Sequence, residues 1–147
     1  MHHIERIDKL LRDELSATQT YQQALDKLQE DASIGEAEYL QPIYQDHQEA
    51  VSNLQEQIRQ LGGTPSEDSG AWGTWSEIIQ GGANMLGRTT ALKALQEGER
   101  SGITDYEEAL QDSELPSNVR SLIETKLLPA QQSHIRTLDR LLDAEAA

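Results

Sequence analysis

Residues 98–110, GERSGITDYEEAL, repeat residues 13–25, DELSATQTYQQAL, without a gap: Glu14 recurs as Glu99, Ser16 as Ser101, Tyr21 as Tyr106, Ala24 as Ala109 and Leu25 as Leu110. A second pair of stretches follows in the same order. Residues 40–54, LQPIYQDHQEAVSNL, align with 127–141, LLPAQQSHIRTLDRL, setting Leu40 over Leu127, Pro42 over Pro129, His47 over His134, Val51 over Leu138 and Leu54 over Leu141. The second alignment is two residues wider than the first. A Glu, a Tyr, a Pro and a His recurring in order in both halves point to two copies of one hairpin, related by a pseudo-twofold axis.

The period of the apolar residues says what each copy is made of. Ile4, Ile7, Leu11, Glu14, Thr18, Tyr21, Leu25 and Leu28 recur at spacings of three and four, the seam of a helix packed in a bundle. This predicts a first helix over about 3–30. Ser33 and Glu36 form a capping box, and Leu40, Tyr44, His47, Val51, Leu54, Ile58 and Leu61 continue the spacing up to Gly62-Gly63, predicting a second helix over about 34–61. The turn-forming stretch GGTPSEDSG (62–70) leads to Trp72, Trp75, Ile79 and Leu86, read as a short amphipathic helix broken at Gly81-Gly82 within a crossover. A third helix is expected from Thr89 or Thr90, with Leu92, Leu95, Glu99, Gly102, Tyr106 and Leu110 on one face. A fourth is expected from Pro116, a favoured first-turn residue, with Ile123, Leu127, Gln131, His134, Leu138 and Leu141 on its seam. Strand formers are scarce: Phe is absent and Val occurs only at 51 and 119. The reading is one all-α domain over 1–147, a four-helix bundle with hairpins at 3–62 and 89–145 joined by a long crossover at 63–88.

Composition narrows the function. A chain of 147 residues is long enough to bury roughly two-thirds of its unfolded surface in one core. With 26 Asp and Glu against 12 Lys and Arg the net charge is -14, spread along the chain. Nucleic acid and anionic membranes are therefore unsuitable partners, because both need clustered cations. The absence of Cys removes disulfides, thiolate metal sites and cysteine nucleophiles. Charged residues from Glu5 to Lys9 interrupt the N-terminus, so neither a signal peptide nor a membrane span is read there, and a cytoplasmic, bacterial-type protein is expected.

The repeated polar residues carry the chemistry. Glu14, His47, Glu99 and His134 all fall on seam positions and should point inward, within about a turn of one level at ~1.5 Å per residue. A carboxylate in a bundle core costs several kcal/mol, at order of magnitude, unless it is paired or metal-bound. Each charge in this layer therefore needs a partner.

A Glu on one helix and a His on the next, repeated, resembles the ferritin-like fold, whose di-iron members use Glu, Glu-x-x-His, Glu, Glu-x-x-His. More narrowly, QLGGTPSEDSGAW (60–72), LQEGERSGITDYEEAL (95–110) and LLPAQQSHIRTLDRL (127–141) resemble a bacterial ferritin-like family known only as a domain of unknown function. The resemblance implies a ferritin-like bundle and no established activity. Glu14, His47, Glu99 and His134 match the di-iron motif, but the Glu expected three residues before each His is Tyr44 in one helix and Gln131 in the other. Two close cations need those carboxylates to offset their repulsion, so the reading leans against an enzyme and against ferroxidase chemistry.

Two readings of the layer stay open: one divalent metal, zinc, iron or manganese, on Glu14, His47, Glu99 and His134 with Tyr44 and Gln131 behind them, or buried Glu14–His47 and Glu99–His134 hydrogen bonds inherited from a metal-binding ancestor. The alternatives at the level of function are a di-metal oxidase or iron-storage protein, and an interaction module. Tyr21 and Tyr106 are expected chiefly to fill core volume, and Gly98 and Gly102 to allow close helix approach. Trp72 and Trp75, with Ile78 and Ile79, are expected to lie on the bundle as a lid, the alternative being a docking patch for a protein partner or a second subunit. His2 and His3, near a fraying end, carry no expected role.

Overall fold

The computed structural model describes residues 2–30, 34–67 and 85–146. Among them all regular structure is helical: α1 (His2–Glu30), α2 (Ile34–Gln60), α3 (Met85–Leu110), α4 (Ser117–Leu122), a π-helical turn (Ile123–Leu127) and α5 (Leu128–Ala146). The crossover helix and Trp72–Trp75 cluster expected from the sequence, and the expected Ser33 cap, lie outside the described residues. α1 packs along α2 and α3 along α5, and the hairpins meet through α1 with α3 and α2 with α5. No described helix is long and apolar enough to cross a membrane.

The expected ends of α1 and α2 hold to within a residue. Gly62 and Gly63 stop α2 by a defined geometry. Gly62 takes φ 85°, its N–H donates to Arg59 O at 3.0 Å and the Gly63 N–H to Ile58 O at 2.9 Å, which is a Schellman cap. α3 begins at Met85 instead of Thr89 or Thr90, so the second hairpin extends into the expected crossover. The two threonines are interior residues of the helix. Gly87 upstream of them weakens a helix without ending it. Pro116 caps the fourth helical segment from just outside, with φ -57° and ψ 141°, and is not its first helical residue.

The π turn was not legible in the pattern. The Leu128 N–H reaches back to Ile123 O, five residues instead of four, so the turn takes up one more residue than an α-helix would. It lies where the second repeat is longer than the first. Pro129, which has no N–H to give Thr125, follows directly behind it.

The seam is wider than the simple spacing. On α1, Leu10, Ala17 and Ala24 are buried beside Ile7, Leu11, Tyr21 and Leu25, because α1 faces both α2 and α3. The core falls into two apolar clusters. One contains Tyr21, Leu25, Leu40, Leu95 and Leu138; the other contains Ile7, Leu11, Leu54, Ile58, Val119 and Ile123. Between them lie the buried polar residues Glu14, His47, Glu99, Gln131 and His134.

Arg120 closes the α3–α4 turn. Its guanidinium donates to Leu110 O, at the end of α3, at 2.7 Å and to Asp112 O, which also accepts from the Leu115 N–H, at 2.6 Å, and Arg6 of α1 pairs with Asp112 at 3.3 Å. Two charge-assisted bonds from one planar group make Arg120 hard to replace. Arg120→Ala should cost about 2 kcal/mol in urea denaturation followed by circular dichroism, and Arg120→Lys should recover less than half, since an ammonium cannot serve both carbonyls with the same fork.

Candidate metal centre

The helix seams deliver all four predicted residues to one level. Glu14 comes from α1, His47 from α2, Glu99 from α3 and His134 from α5, and each is at most 4% exposed. His47 stands at the centre. Its Nδ1 is 2.5 Å from Glu14 Oε2, and its Nε2 is 2.7 Å from Glu99 Oε2 and 3.1 Å from Glu99 Oε1. His134 Nδ1 meets the other Glu99 oxygen at 2.8 Å. The Glu14–His47 and Glu99–His134 contacts both form, and Glu99 bridges the two rings as well. The rings lie 4.9 Å apart at 54°.

Asp46 is a member of the layer that the sequence reading missed. Its Oδ2 is 2.8 Å from His134 Nε2, although the Asp46 side chain is 49% exposed. Asp46 sits on a solvent-facing position of α2, and only the packing of α5 beside α2 brings His134 to it. Its neighbour in sequence, His47, gave no sign of this.

Tyr21 and Tyr106, expected to fill volume, also donate. The Tyr21 hydroxyl gives its proton to Glu99 Oε2 at 3.1 Å, and Tyr106 gives its own to Glu14 Oε1 at 2.5 Å. Each tyrosine therefore serves the glutamate of the other repeat. Tyr21 also stacks on the His47 ring at 5.3 Å and 23°.

Tyr44 and Gln131, expected behind the layer, take different positions. The Tyr44 hydroxyl accepts from Gln48 Nε2 at 3.0 Å in an exposed contact, while its half-buried ring packs against the apolar cluster of Tyr21 and Leu40. Gln131 is buried, and its amide donates to the backbone carbonyl of Glu99 at 3.3 Å. Gly102 makes room for that amide: a Cβ at Gly102 would lie 2.0 Å from Gln131 Nε2. Room for one side chain, and not only close helix approach, accounts for this glycine. Ala17 stands at the matching position of the first repeat.

The electrostatics follow from burial and pairing. Burial alone pushes the His47 imidazolium down, but attraction to Glu99 and then Glu14 outweighs it and holds this group well above its ordinary 6.5. Burial opposes ionisation of Glu99 in the same way, yet His47 and His134 overcome it and lower its carboxyl to about 2. Burial first, then the nearby carboxylates, keep the Tyr21 and Tyr106 phenols protonated as donors. Beside the layer, Asp13 is raised to about 8 by burial and by its hydrogen bond with Asp105, which Lys9 pairs from outside at 3.3 Å.

His47, Glu99 and His134 each offer one ligand atom within 4.8 Å of the others. A four-helix bundle with such a layer in its core belongs to the ferritin-like class of folds. The chain matches the family model described as Domain of unknown function (DUF2383) over residues 2–112, and it belongs to that family. In structure it resembles a ferritin-like, diiron-carboxylate protein from Bacillus anthracis str. Ames, with a TM-score of 0.69, 18% identity, and coverage of 97% of this chain and 99% of the other. No curated protein matches the chain.

Two outcomes test this geometry. His47, raised above 6.5, contributes stability that is complete below pH 6.5 and lost as pH rises toward its folded-state value; Asp13, raised from 3.8 to about 8, contributes in the same sense up to that pH. Glu99, lowered from 4.5 to about 2, contributes stability present above pH 4.5 and lost as pH falls through about 2. Urea midpoints should therefore fall as pH rises from about 6.5 to 8, and Asp13→Asn should flatten part of that fall. Separately, Gly102→Ala gains about 1 kcal/mol of helix propensity but displaces the buried Gln131 amide, a loss of about 1–3 kcal/mol. It should destabilise the wild type and stabilise a Gln131→Ala background, a reversal of sign that a double-mutant cycle reads directly.

Proposed function

We propose that this protein binds one divalent cation in the polar layer, through His47 Nε2, the Glu99 carboxylate and His134 Nδ1. The observation that carries the reading is the way each ring is held. Glu14 takes the outer nitrogen of His47 and Asp46 the outer nitrogen of His134, so the remaining nitrogen of each ring faces Glu99. A carboxylate behind each histidine, fixing its tautomer and raising its basicity, is how metal-ligating imidazoles are held. A divalent cation would take the place of the hydrogen bonds that His47 Nε2 and His134 Nδ1 make to Glu99.

The donor set does not fit a dinuclear centre. The positions that would supply the two further carboxylates hold Tyr44, a half-buried ring whose hydroxyl bonds to Gln48, and Gln131, whose amide serves a backbone carbonyl. Two nitrogens and a carboxylate suit zinc, iron or manganese. A bound cation would supply Lewis acidity, but the cavity at the layer encloses only ≈ 30 Å³, the space of about one water. An organic substrate has no place beside it, which favours binding or storage of a single ion over turnover.

Protein purified without chelator or affinity metal, loaded with zinc or cobalt and dialysed, should carry one ion per chain by elemental analysis. His134→Ala and Glu99→Gln should carry none, and Tyr44→Glu with Gln131→Glu should raise occupancy toward two. Two core ions in the wild type, or none, would overturn the reading.

A further inference from the structure

His47 is 1% exposed and Glu99 0%, so a cation from solvent needs a path through the bundle. Among the described residues two cavities touch the layer. The first lies between α1 and α3 and is lined by buried or half-buried residues, among them Leu10, Asp13, Gly102, Tyr106 and Gln131; it has no room for a water. The second lies between α2 and the π turn, encloses ≈ 30 Å³, and has a wall that changes from Asp46, Glu49 and Lys126 outside to Glu14, His47 and His134 inside. Asn53, also in this wall, has a buried amide nitrogen with no protein partner, the sort of donor that a water in the cavity satisfies. Of the two, only this cavity connects exposed side chains with the histidines.

Two features of the mouth fit the passage of a cation. Asp46 is at once half-exposed and bonded to His134, so one carboxylate faces solvent and touches the layer. Across the opening, Lys126 of the π turn pairs with Glu49 of α2 at 2.8 Å, both side chains about half-exposed. An exposed ion pair of two long side chains is weak and parts readily.

We propose that a divalent cation enters by this cleft, with Asp46 as its first carboxylate contact and the Lys126–Glu49 pair as the movable closure of the mouth. The proposal rests on the reading of the layer as a cation site. An ammonium at the opening repels an incoming cation, and its removal both widens the mouth and leaves Glu49 free to attract one. Ala130, in the wall of the same cavity, is where added bulk would obstruct the path. Lys9, paired with Asp105 on the α1–α3 side, marks the competing route.

Stopped-flow uptake of cobalt(II), read from the absorbance of the bound ion, separates these possibilities in the full chain, with folding of each variant checked by circular dichroism. Lys126→Ala should speed uptake about tenfold, at the low end of what a local potential does to association rates, and reach the wild-type end point. Ala130→Leu should slow uptake by bulk alone, and Lys9→Ala should leave the rate alone. A normal end point with Lys126→Ala no faster than wild type, or Lys9→Ala as fast as Lys126→Ala, overturns the route and leaves the cation site standing. A wild type that takes up no cobalt at equilibrium removes the site and the route together.

Discussion

The Glu99 carboxylate, with no exposed surface, can stay ionised in the bundle only because Tyr21, His47 and His134 all turn protons toward it. Taking such a group out of water costs several kcal/mol, at order of magnitude, unless every oxygen is answered. The rest of the layer follows from that need. An imidazolium at His47 requires a second carboxylate, which Glu14 supplies, and Glu14 requires a donor, which Tyr106 supplies. The apolar core divides into two clusters because this chain of donors and acceptors crosses the bundle between them.

The duplication gives the layer its parts, and departures from duplication give it a direction. Asp46 has Ser133 at its matching position in the second repeat, so only His134 gains a solvent-side carboxylate. Gly102 answers to Ala17, and Gln131 to Tyr44. At Gly102 the missing Cβ admits a buried amide, whereas Tyr44 ends in a hydroxyl bonded to the exposed Gln48. One ring therefore lies deep between two glutamates, and the other lies between a glutamate and the surface.

The repeat and the three-and-four spacing made the bundle, its hairpins and the inward facing of Glu14, His47, Glu99 and His134 legible, because each is a property of one helix or of a comparison between helices. What escaped depended on packing between elements. Asp46 reads as a surface residue along α2 and acquires its partner only from α5. The phenols of Tyr21 and Tyr106 lie on the seam whichever way their hydroxyls point, so their crosswise donation required the distance between hairpins. The π turn leaves the apolar spacing almost unchanged, and the longer spacing of the second repeat was its only trace.

Crosswise donation also bears on how the chain reaches this state. A helical hairpin forms from local contacts and can close quickly, but the hairpin of α1 and α2 carries Glu14 without the phenol that satisfies it, and the hairpin of α3 and α5 carries Glu99 without Tyr21 and His47. Neither half completes its own polar layer. The docking of the two halves is where these groups leave water and find their partners together, so the closing step is selective for register: a slip by one turn of either hairpin would bury carboxylates against leucine in place of imidazole and phenol.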